Sequence, residues 1–200
     1  MPVVSDLQSV NPSSIIELYH LDLVGSLHGS PSGSDWGNYY FTGMTDAVNS
    51  GNHAYNDIHW GDPLKQYQRL PIQVTGFEYN GTGKLPRPKL VVSNLFSAFS
   101  EILSAVNATT PGNDLVGAKL TRIRTLLKYL PNDNFTGNNP HGTPDVTQEF
   151  PRESYIIARK SIESRDFCEF ELAAAIDMVN TKLPKRQLLP DEFPGIGNFY

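Results

Sequence analysis

The chain has 200 residues, a net charge of -5 at pH 7 and 39% hydrophobic residues, with 16 glycines and 15 prolines. The acidic balance argues against nucleic acid or an anionic membrane as a direct partner. The glycine and proline content favours short strands joined by turns over a helical bundle. The single cysteine cannot close an intrachain disulfide, and no apolar run is long enough to span a bilayer. We therefore expect a chain without a signal peptide that is made in a reducing cytosol.

The first third of the chain predicts one strand followed by two loops. Residues 14–24 alternate as a strand does, with Ile16, Leu18 and Val24 on one face. Residues 25–37 are rich in Gly, Ser and Pro and predict a flexible loop. Residues 38–62 are polar and aromatic without a clear period, so we expect a long loop with room for one short hairpin.

The middle of the chain predicts two strands and a helix. Residues 74–79 and 90–95 are the strands, and the dipeptide Asn80-Gly81 between them is a strong turn signal. The following segment repeats apolar residues at helical spacing, which predicts a short helix packed over the sheet. Its apolar face consists of Phe96, Phe99, Leu103 and Val106.

A further strand and a second loop follow the helix. Residues 118–130 alternate between two faces, and one of those faces carries Leu120, Arg122 and Arg124. Residues 131–147 are rich in Asn, Gly and Pro and predict a loop.

Two strands complete the predicted sheet. They cover residues 155–160 and 166–178, and in the second the alternate residues from Cys168 to Met178 form an apolar face. The opposite face of that strand carries Glu169, Glu171 and Asp177. The whole pattern predicts a mainly β (α+β) fold, a single domain over residues 1–200. It would be a β-barrel or sandwich with one short helix and loop insertions at about 25–62 and 131–147.

The sequence offers few residues for chemistry. His53 and His59 lie six residues apart, with Asp57 and Asp62 nearby, but this spacing matches no standard metal site. Cys168 belongs to an apolar strand face, where a thiol is usually inert. We therefore predict no catalytic residue, no bound metal and no enzymatic activity.

A group of aromatic residues allows two interpretations. They form an exposed contact surface for neighbouring subunits, or they fold back over the sheet as a lid. The residues are Trp36, Tyr39, Tyr40, Phe41, Tyr55 and Trp60.

The segment from residue 71 to residue 96 carries an order of short motifs that resembles the minor tail protein L family of lambda-like phages. The motif positions are Gly76, Phe77, Glu78, Asn80, Gly81, Gly83, Arg87, Pro88, Ser93 and Asn94. Blocks that begin at Ile16, near Ala118 and at Phe150 are also similar, and the last ends in Leu183-Pro-Lys-Arg186. Together the blocks cover roughly half to two-thirds of the chain.

The resemblance implies a structural virion protein with a tail-tube-like β-barrel. Such proteins lie at the tail tip, between the distal ring of the tube and the central host-attachment protein, which are the expected partners. The resemblance further implies a homotrimer that is needed for tail assembly in the host cytoplasm.

The family also implies an iron–sulfur cluster, but this chain departs from that pattern. Typical members bind the cluster in a cysteine-rich region after the Pro-Arg element, and four thiolates are normally required. The single cysteine, Cys168, precedes that region. We therefore expect no cofactor in these residues, whether the chain is a natural short form or a truncated one.

Two other functions remain as alternatives. A carbohydrate-binding β-sandwich would use the aromatic residues as sugar platforms, and saturable binding of glycans to the monomer would favour it. A hydrolase comes third, because no base and nucleophile can be assembled from this chain.

Overall fold

The computed structural model describes residues 2–29, 37–43, 57–78, 85–94, 98–135, 137–177 and 189. The described residues are mainly β, which confirms the predicted class. The helices are α1 (Pro2–Leu7), α2 (Gly25–His28) and α3 (Ala98–Thr109). The strands are β1 (Ile15–Asp22), β2 (Asn38–Thr42), β3 (Ile58–Trp60), β4 (Lys65–Arg69), β5 (Ile72–Thr75), β6 (Lys89–Ser93), β7 (Lys119–Leu126), β8 (Glu153–Glu163) and β9 (Phe167–Ala173). No helix among these residues has the length and apolar character that crossing a membrane requires.

The nine strands form one mixed sheet in the order β3-β4-β2-β1-β7-β8-β9-β6-β5. Only β2 and β4 pair in parallel, while all other neighbours are antiparallel. β4 and β5 lie near opposite ends of this order, yet only Leu70 and Pro71 separate them in the chain. Two residues bridge a short distance, so the sheet must curl toward itself. The N–H of Leu70 donates to the carbonyl of Thr42 at 3.1 Å, which holds the bend beside β2.

Helix α3 fills one end of the space inside the curled sheet. Its residues Phe99, Leu103 and Val106 are all buried, as the helical spacing predicts, while Phe96 lies outside the described residues. The ring of Phe99 lies 5.9 Å from that of Phe170 on β9 and 5.6 Å from that of Phe41 on β2. The prediction of a helix packed over the sheet is therefore confirmed.

A second apolar cluster covers the outer face of β1. Ile16 and Leu18 are fully buried there against Ile58, Trp60 and Tyr67. The other face of β1 contributes to the inner core, so this strand is buried on both sides. Ile16 and Leu18 do share a face, but Val24 lies beyond the strand and is exposed.

The outer edge of β3 is covered by the side chain of Asn134. The N–H of His59 donates to Asn134 Oδ1 at 2.7 Å, and Asn134 Nδ2 donates to the carbonyl of His59 at 2.9 Å. His59 is the central residue of a three-residue strand, so one side-chain amide satisfies the outward main-chain groups of this edge.

The loop with room for one hairpin that was predicted over residues 38–62 was wrong at its two described ends, and residues 44–56 lie outside the described chain. β2 lies within it and pairs with β1, and β3 pairs with β4. An aperiodic aromatic segment forms a strand here because its two faces contact two different clusters, so no simple alternation appears. Within residues 25–37, α2 replaces part of the predicted loop, and residues 30–36 lie outside the described chain.

Several predicted strands end earlier than expected. The strand predicted at 74–79 is β5, which stops before Gly76. The strand predicted over 118–130 is β7, followed by a 3₁₀ turn at Leu127–Tyr129. The strand predicted over 166–178 ends at Ala173, and Ile176 lies exposed in a 3₁₀ turn. β8 confirms the strand predicted at 155–160. The described residues of 131–147, which exclude residue 136, contain a short 3₁₀ turn at Asn132–Asn134 and otherwise neither helix nor strand.

Four of the six aromatic residues lie in the described chain, and these four pack against the fold. Phe41 and Trp60 are buried, while Tyr39 and Tyr40 are half-buried. Trp36 and Tyr55 lie outside the described residues. These four side chains therefore belong to the packing of the fold, which favours the lid interpretation for them, and the choice between the two interpretations stays open for Trp36 and Tyr55.

Candidate functional site at the mouth of the curled sheet

The inner face of the sheet changes from apolar to charged at the end opposite α3. In the strand register Arg124 lies opposite Glu17, and Arg122 lies opposite both Tyr19 and Glu153. Side chains directly opposite each other in a sheet project from the same face. This charged end, formed by Glu17, Arg122, Arg124 and Glu153, is called the mouth below.

The mouth is held together by a chain of ion pairs. Arg122 Nη1 donates to Glu153 Oε2 at 3.1 Å, and its Nη2 donates to Glu17 Oε1. Arg124 Nη2 donates to Glu153 Oε1 at 2.7 Å. The side chain of Arg122 is only 13% exposed, so these bonds form in a partly dry environment.

The pKa values of Arg122 and Tyr19 in the mouth are shifted by neighbouring charges and by burial. Desolvation lowers the pKa of Arg122, but the hydrogen bond and charge of Glu17 and the hydrogen bond of Glu153 outweigh it and raise the pKa above the usual range. Burial, and then the charge of Glu17, raise the pKa of the Tyr19 hydroxyl, which donates to Glu17 Oε2 at 2.8 Å. Tyr19 therefore stays protonated and keeps one oxygen of Glu17 oriented.

Two phenyl rings cover the guanidinium groups of the mouth. The guanidinium carbon of Arg122 lies 4.1 Å from the ring centre of Phe77, and that of Arg124 lies 5.3 Å from the ring centre of Phe150. Phe77 also contacts Tyr155, with ring centres 5.4 Å apart. A planar guanidinium stacks well on an aromatic face, so these rings stabilise the arginines without removing their ion pairs.

Gly76 makes the turn that brings Phe77 over the mouth. Its φ is +88°, a left-handed conformation that side chains disfavour, and a Cβ here would lie 3.4 Å from the Cα of Pro88. The position therefore requires glycine, which gives the Gly-Phe-Glu motif a structural reason.

Gly76→Ala is expected to lower the free energy of unfolding by about 1–2 kcal/mol, because alanine resists positive φ. Urea denaturation followed by circular dichroism measures the change. Gly137→Ala is the matched control, since Gly137 has φ +101° but no atom lies within 4 Å of the position that a Cβ would occupy. Equal losses in both variants would show that backbone strain alone acts, while no loss at Gly76 would contradict the strained turn.

Two cavities open at the mouth. One, the mouth cleft, has a volume of about 600 Å³ and lies between Phe77, Glu78 and the two arginines. The other, the seam groove, has a volume of about 290 Å³ and lies between β1 and β5, lined by Ile15, Glu17 and Ile72 among others. Val74 lines both, so the two cavities meet along β5.

Three of the remaining motif residues, Arg87, Pro88 and Ser93, lie in β6 or just before it and make contacts within the fold. Arg87 forms an exposed ion pair with Asp177 at 2.7 Å. The carbonyl of the buried Pro88 accepts from the N–H of Leu172 at 2.8 Å. Ser93 is the last residue of β6 and donates its N–H to Pro71. Asn80, Gly81 and Gly83 lie outside the described residues, so the predicted turn there remains a prediction.

Asn94 joins three elements at the α3 end of the sheet. Its side-chain amide donates to Ser100 Oγ at 2.8 Å and to the carbonyl of Ser164 at 3.1 Å. Its Oδ1 accepts from the N–H of Ser100, and its own N–H donates to the carbonyl of Asp166. Only 5% of the residue is exposed, so water cannot replace these partners.

Asn94→Ala is expected to lower the free energy of unfolding by about 2–3 kcal/mol, because it leaves buried donors and acceptors unsatisfied. Asn94→Asp should cost a similar amount, since it keeps the acceptor but loses both donors. Urea denaturation provides the measurement, with Asn38→Ala as the control because Asn38 is exposed and its side chain bonds His20 at 2.9 Å. A loss at Asn94 no larger than that at Asn38 would contradict the anchoring role.

Two of the residues considered as metal ligands, Asp57 and His59, have other contacts. Asp57 accepts from Gln66 Nε2 at 2.8 Å and from the N–H of Arg69, and His59 is held at the β3 edge. His53 lies outside the described residues. Within the part of the chain that the structure describes, no group of three His, Cys, Asp or Glu side chains is placed to hold a metal ion. Cys168 is buried, and burial raises the pKa of its thiol.

Sequence reasoning missed two buried asparagines and the mouth itself. Asn139 Nδ2 donates to the carbonyls of Leu127, Lys128 and Leu130, which orders the loop after β7. Asn134 covers the β3 edge as described above. An Asn-rich loop carries no signal that separates buried amides from ordinary turn residues. The two arginines on one face of a predicted strand were the available signal for the mouth, but their carboxylate partners lie on other strands.

The sequence is similar to a family of phage tail proteins and to one relative in particular. The family described as phage minor tail protein L matches residues 33–195, and the chain belongs to this family of structural phage tail proteins. Tail tip protein L of Escherichia phage lambda is 33% identical over 107 residues, which cover 52% of this chain and 40% of that protein. The chain thus spans about two fifths of the length of this relative.

Proposed function

We propose that this minor tail protein lies at the tail tip, between the distal ring of the tail tube and the central host-attachment protein. The family match over residues 33–195 carries the proposal, because it includes β2 to β9 and most of the mouth. The lambda relative bears the name tail tip protein L, which supports a position at the tip. The role is structural assembly of the tail, carried out as a homotrimer.

The geometry supports a protein that acts through its surfaces. Buried side chains of β1, β6 and β9 fill the inside of the curled sheet, together with the α3 residues Phe99, Leu103 and Val106. A sheet filled in this way cannot itself serve as a wide channel, so contact with neighbours is the activity left to it. A tail-tube-like barrel, closed by contact with neighbouring subunits, is the assembled form that we propose.

Electron microscopy of intact particles, labelled with an antibody against this chain, tests the location. We expect label only at the distal end of the tail. Label along the tube or on the head, or particles that lack the protein, would contradict the position. Measuring the copy number per particle against a protein of known stoichiometry then tests the trimer.

We further propose that these residues bind no iron–sulfur cluster, since the chain has one cysteine and that thiol is buried. Iron and acid-labile sulfide analysis of the anaerobically purified chain tests this. Stoichiometric iron would contradict it.

A further inference from the structure

The seam groove has an open strand edge along one side. The N–H of Ser93 donates to the carbonyl of Pro71 at 2.9 Å, so these residues form a hydrogen-bonded pair beside the β5–β6 ladder. Hydrogen-bonded pairs alternate along an antiparallel ladder, so Gln73 and Thr75 direct their main-chain groups to β6. Val74 therefore directs its N–H and C=O away from β6. No described residue bonds these two groups.

The two sheet edges differ in this respect. The outward main-chain groups of β3 are satisfied by Asn134, whereas those of Val74 are open at the meeting point of the seam groove and the mouth cleft. Ile15, which is 48% exposed, and Ile72 supply apolar contact along the groove. An open edge beside apolar side chains is suited to an added strand, since main-chain bonds give affinity and alternate side chains give specificity.

The charge around this edge selects the side chain that such a strand would carry. Three carboxylates, of Glu17, Glu78 and Glu153, face two guanidiniums, and both guanidiniums already bond carboxylates. Glu78 is exposed and the side chain of Glu17 is 38% exposed, so the surplus negative charge faces outward. A basic side chain is attracted there and an acidic one is repelled.

We propose that the mouth receives an extended segment of another tail protein, which pairs with Val74 and directs a lysine or arginine side chain to Glu17 and Glu78. The inference rests on the proposed function only in taking the partner to be a tail protein. The binding chemistry itself is derived from the edge and the charges.

Fluorescence anisotropy with the full chain and a labelled peptide of the form Ser-Val-Lys-Val-Ser tests the proposal. We expect saturable binding of this peptide. Replacing its lysine with norleucine should weaken binding about fivefold, and replacing it with glutamate about tenfold or more. Methylating the main-chain nitrogens of the lysine and both valines should abolish binding, because a strand added in either orientation donates one of these N–H groups to the carbonyl of Val74.

A charge exchange makes the test specific. In Glu78→Lys the preference should reverse, so that the glutamate peptide binds more tightly than the lysine peptide. Glu101→Lys is the matched control, because Glu101 is also exposed but lies on α3 at the far end of the sheet, and it should leave the order unchanged. Circular dichroism confirms that both variants are folded.

Three outcomes would overturn the proposal: no saturable binding of the lysine peptide up to about 2 mM, equal affinity for all three peptides, or full binding of the N-methylated peptide. If the peptide does not bind but the antibody labels the tail tip, the proposed strand addition is wrong and the proposed location stands. If the peptide binds but the antibody labels another part of the particle, the proposed location is wrong and the strand addition stands.

Discussion

Phe170→Ala is expected to lower the free energy of unfolding by about 3–5 kcal/mol. Phe170 is fully buried at the centre of the inner core, where its ring packs on Phe99 of α3. Removing the ring loses the apolar contact and leaves a cavity that β9, paired on both sides, cannot collapse to fill. Thermal and urea denaturation should therefore show a melting temperature lower by about 10 °C.

Phe167→Ala provides the matched control for this change. Phe167 lies on the same strand but is 37% exposed, so its loss should cost less than about 1 kcal/mol. A similar cost for both variants would show that α3 does not pack inside the sheet as described.

Arg122→Leu is the second change with a large expected effect, a loss of about 2–4 kcal/mol in the free energy of unfolding. Arg122 bonds both Glu17 and Glu153 and is covered by Phe77. Leucine preserves the apolar contact with Phe77 but leaves two carboxylates close together without their shared cation. Urea denaturation at neutral pH measures the loss.

Two further variants distinguish the loss of the ion pairs of Arg122 from a non-specific loss of stability. Arg122→Leu combined with Glu153→Gln should recover part of the lost stability, because it removes one of the two carboxylates. Arg159→Leu should leave the melting temperature unchanged, since the ion pair of Arg159 with Glu171 is exposed. An Arg122→Leu protein as stable as the parent would contradict the bridging role.

Elements with a single buried face could be predicted from the sequence. Helix α3 shows its apolar face at helical spacing, and β9 shows Cys168, Phe170 and Leu172 at every second position, so the local pattern records the packing. Their ends were less predictable. The strand pattern of β9 continues to Met178, yet the sheet pairing stops at Ala173, because its neighbour β8 pairs no further.

β2 and β3 could not be predicted, because β2 contacts more than one environment and β3, with three residues, is too short to show a period. In β2 the ring of Tyr40 stacks on His20 and that of Phe41 packs on Phe99, which lie on opposite faces of the sheet. Such a segment shows no period and resembles a loop. The curl of the sheet was equally hidden, since it depends on the two-residue bend at Leu70 and Pro71 and on the pairing of distant strands.

The resemblance to the family identified the motif positions, but the structure explains why those residues are needed there. Gly76 is required by its backbone angle, Phe77 by the arginine beneath it and Asn94 by four hydrogen bonds. The arginines of β7 share a face in the sequence pattern. Their carboxylate partners could not be identified, because Glu17 and Glu153 come from strands far apart in the chain.

The amide of Asn134 has a consequence for how many copies can join. A sheet that is open at both edges can add strands on either side, and identical subunits would then grow into a fibre of undefined length. Because Asn134 terminates the β3 side, strand addition cannot pass through this subunit from one neighbour to the next. The homotrimer proposed above would therefore have to be joined by contacts other than a sheet that continues through the β3 edge.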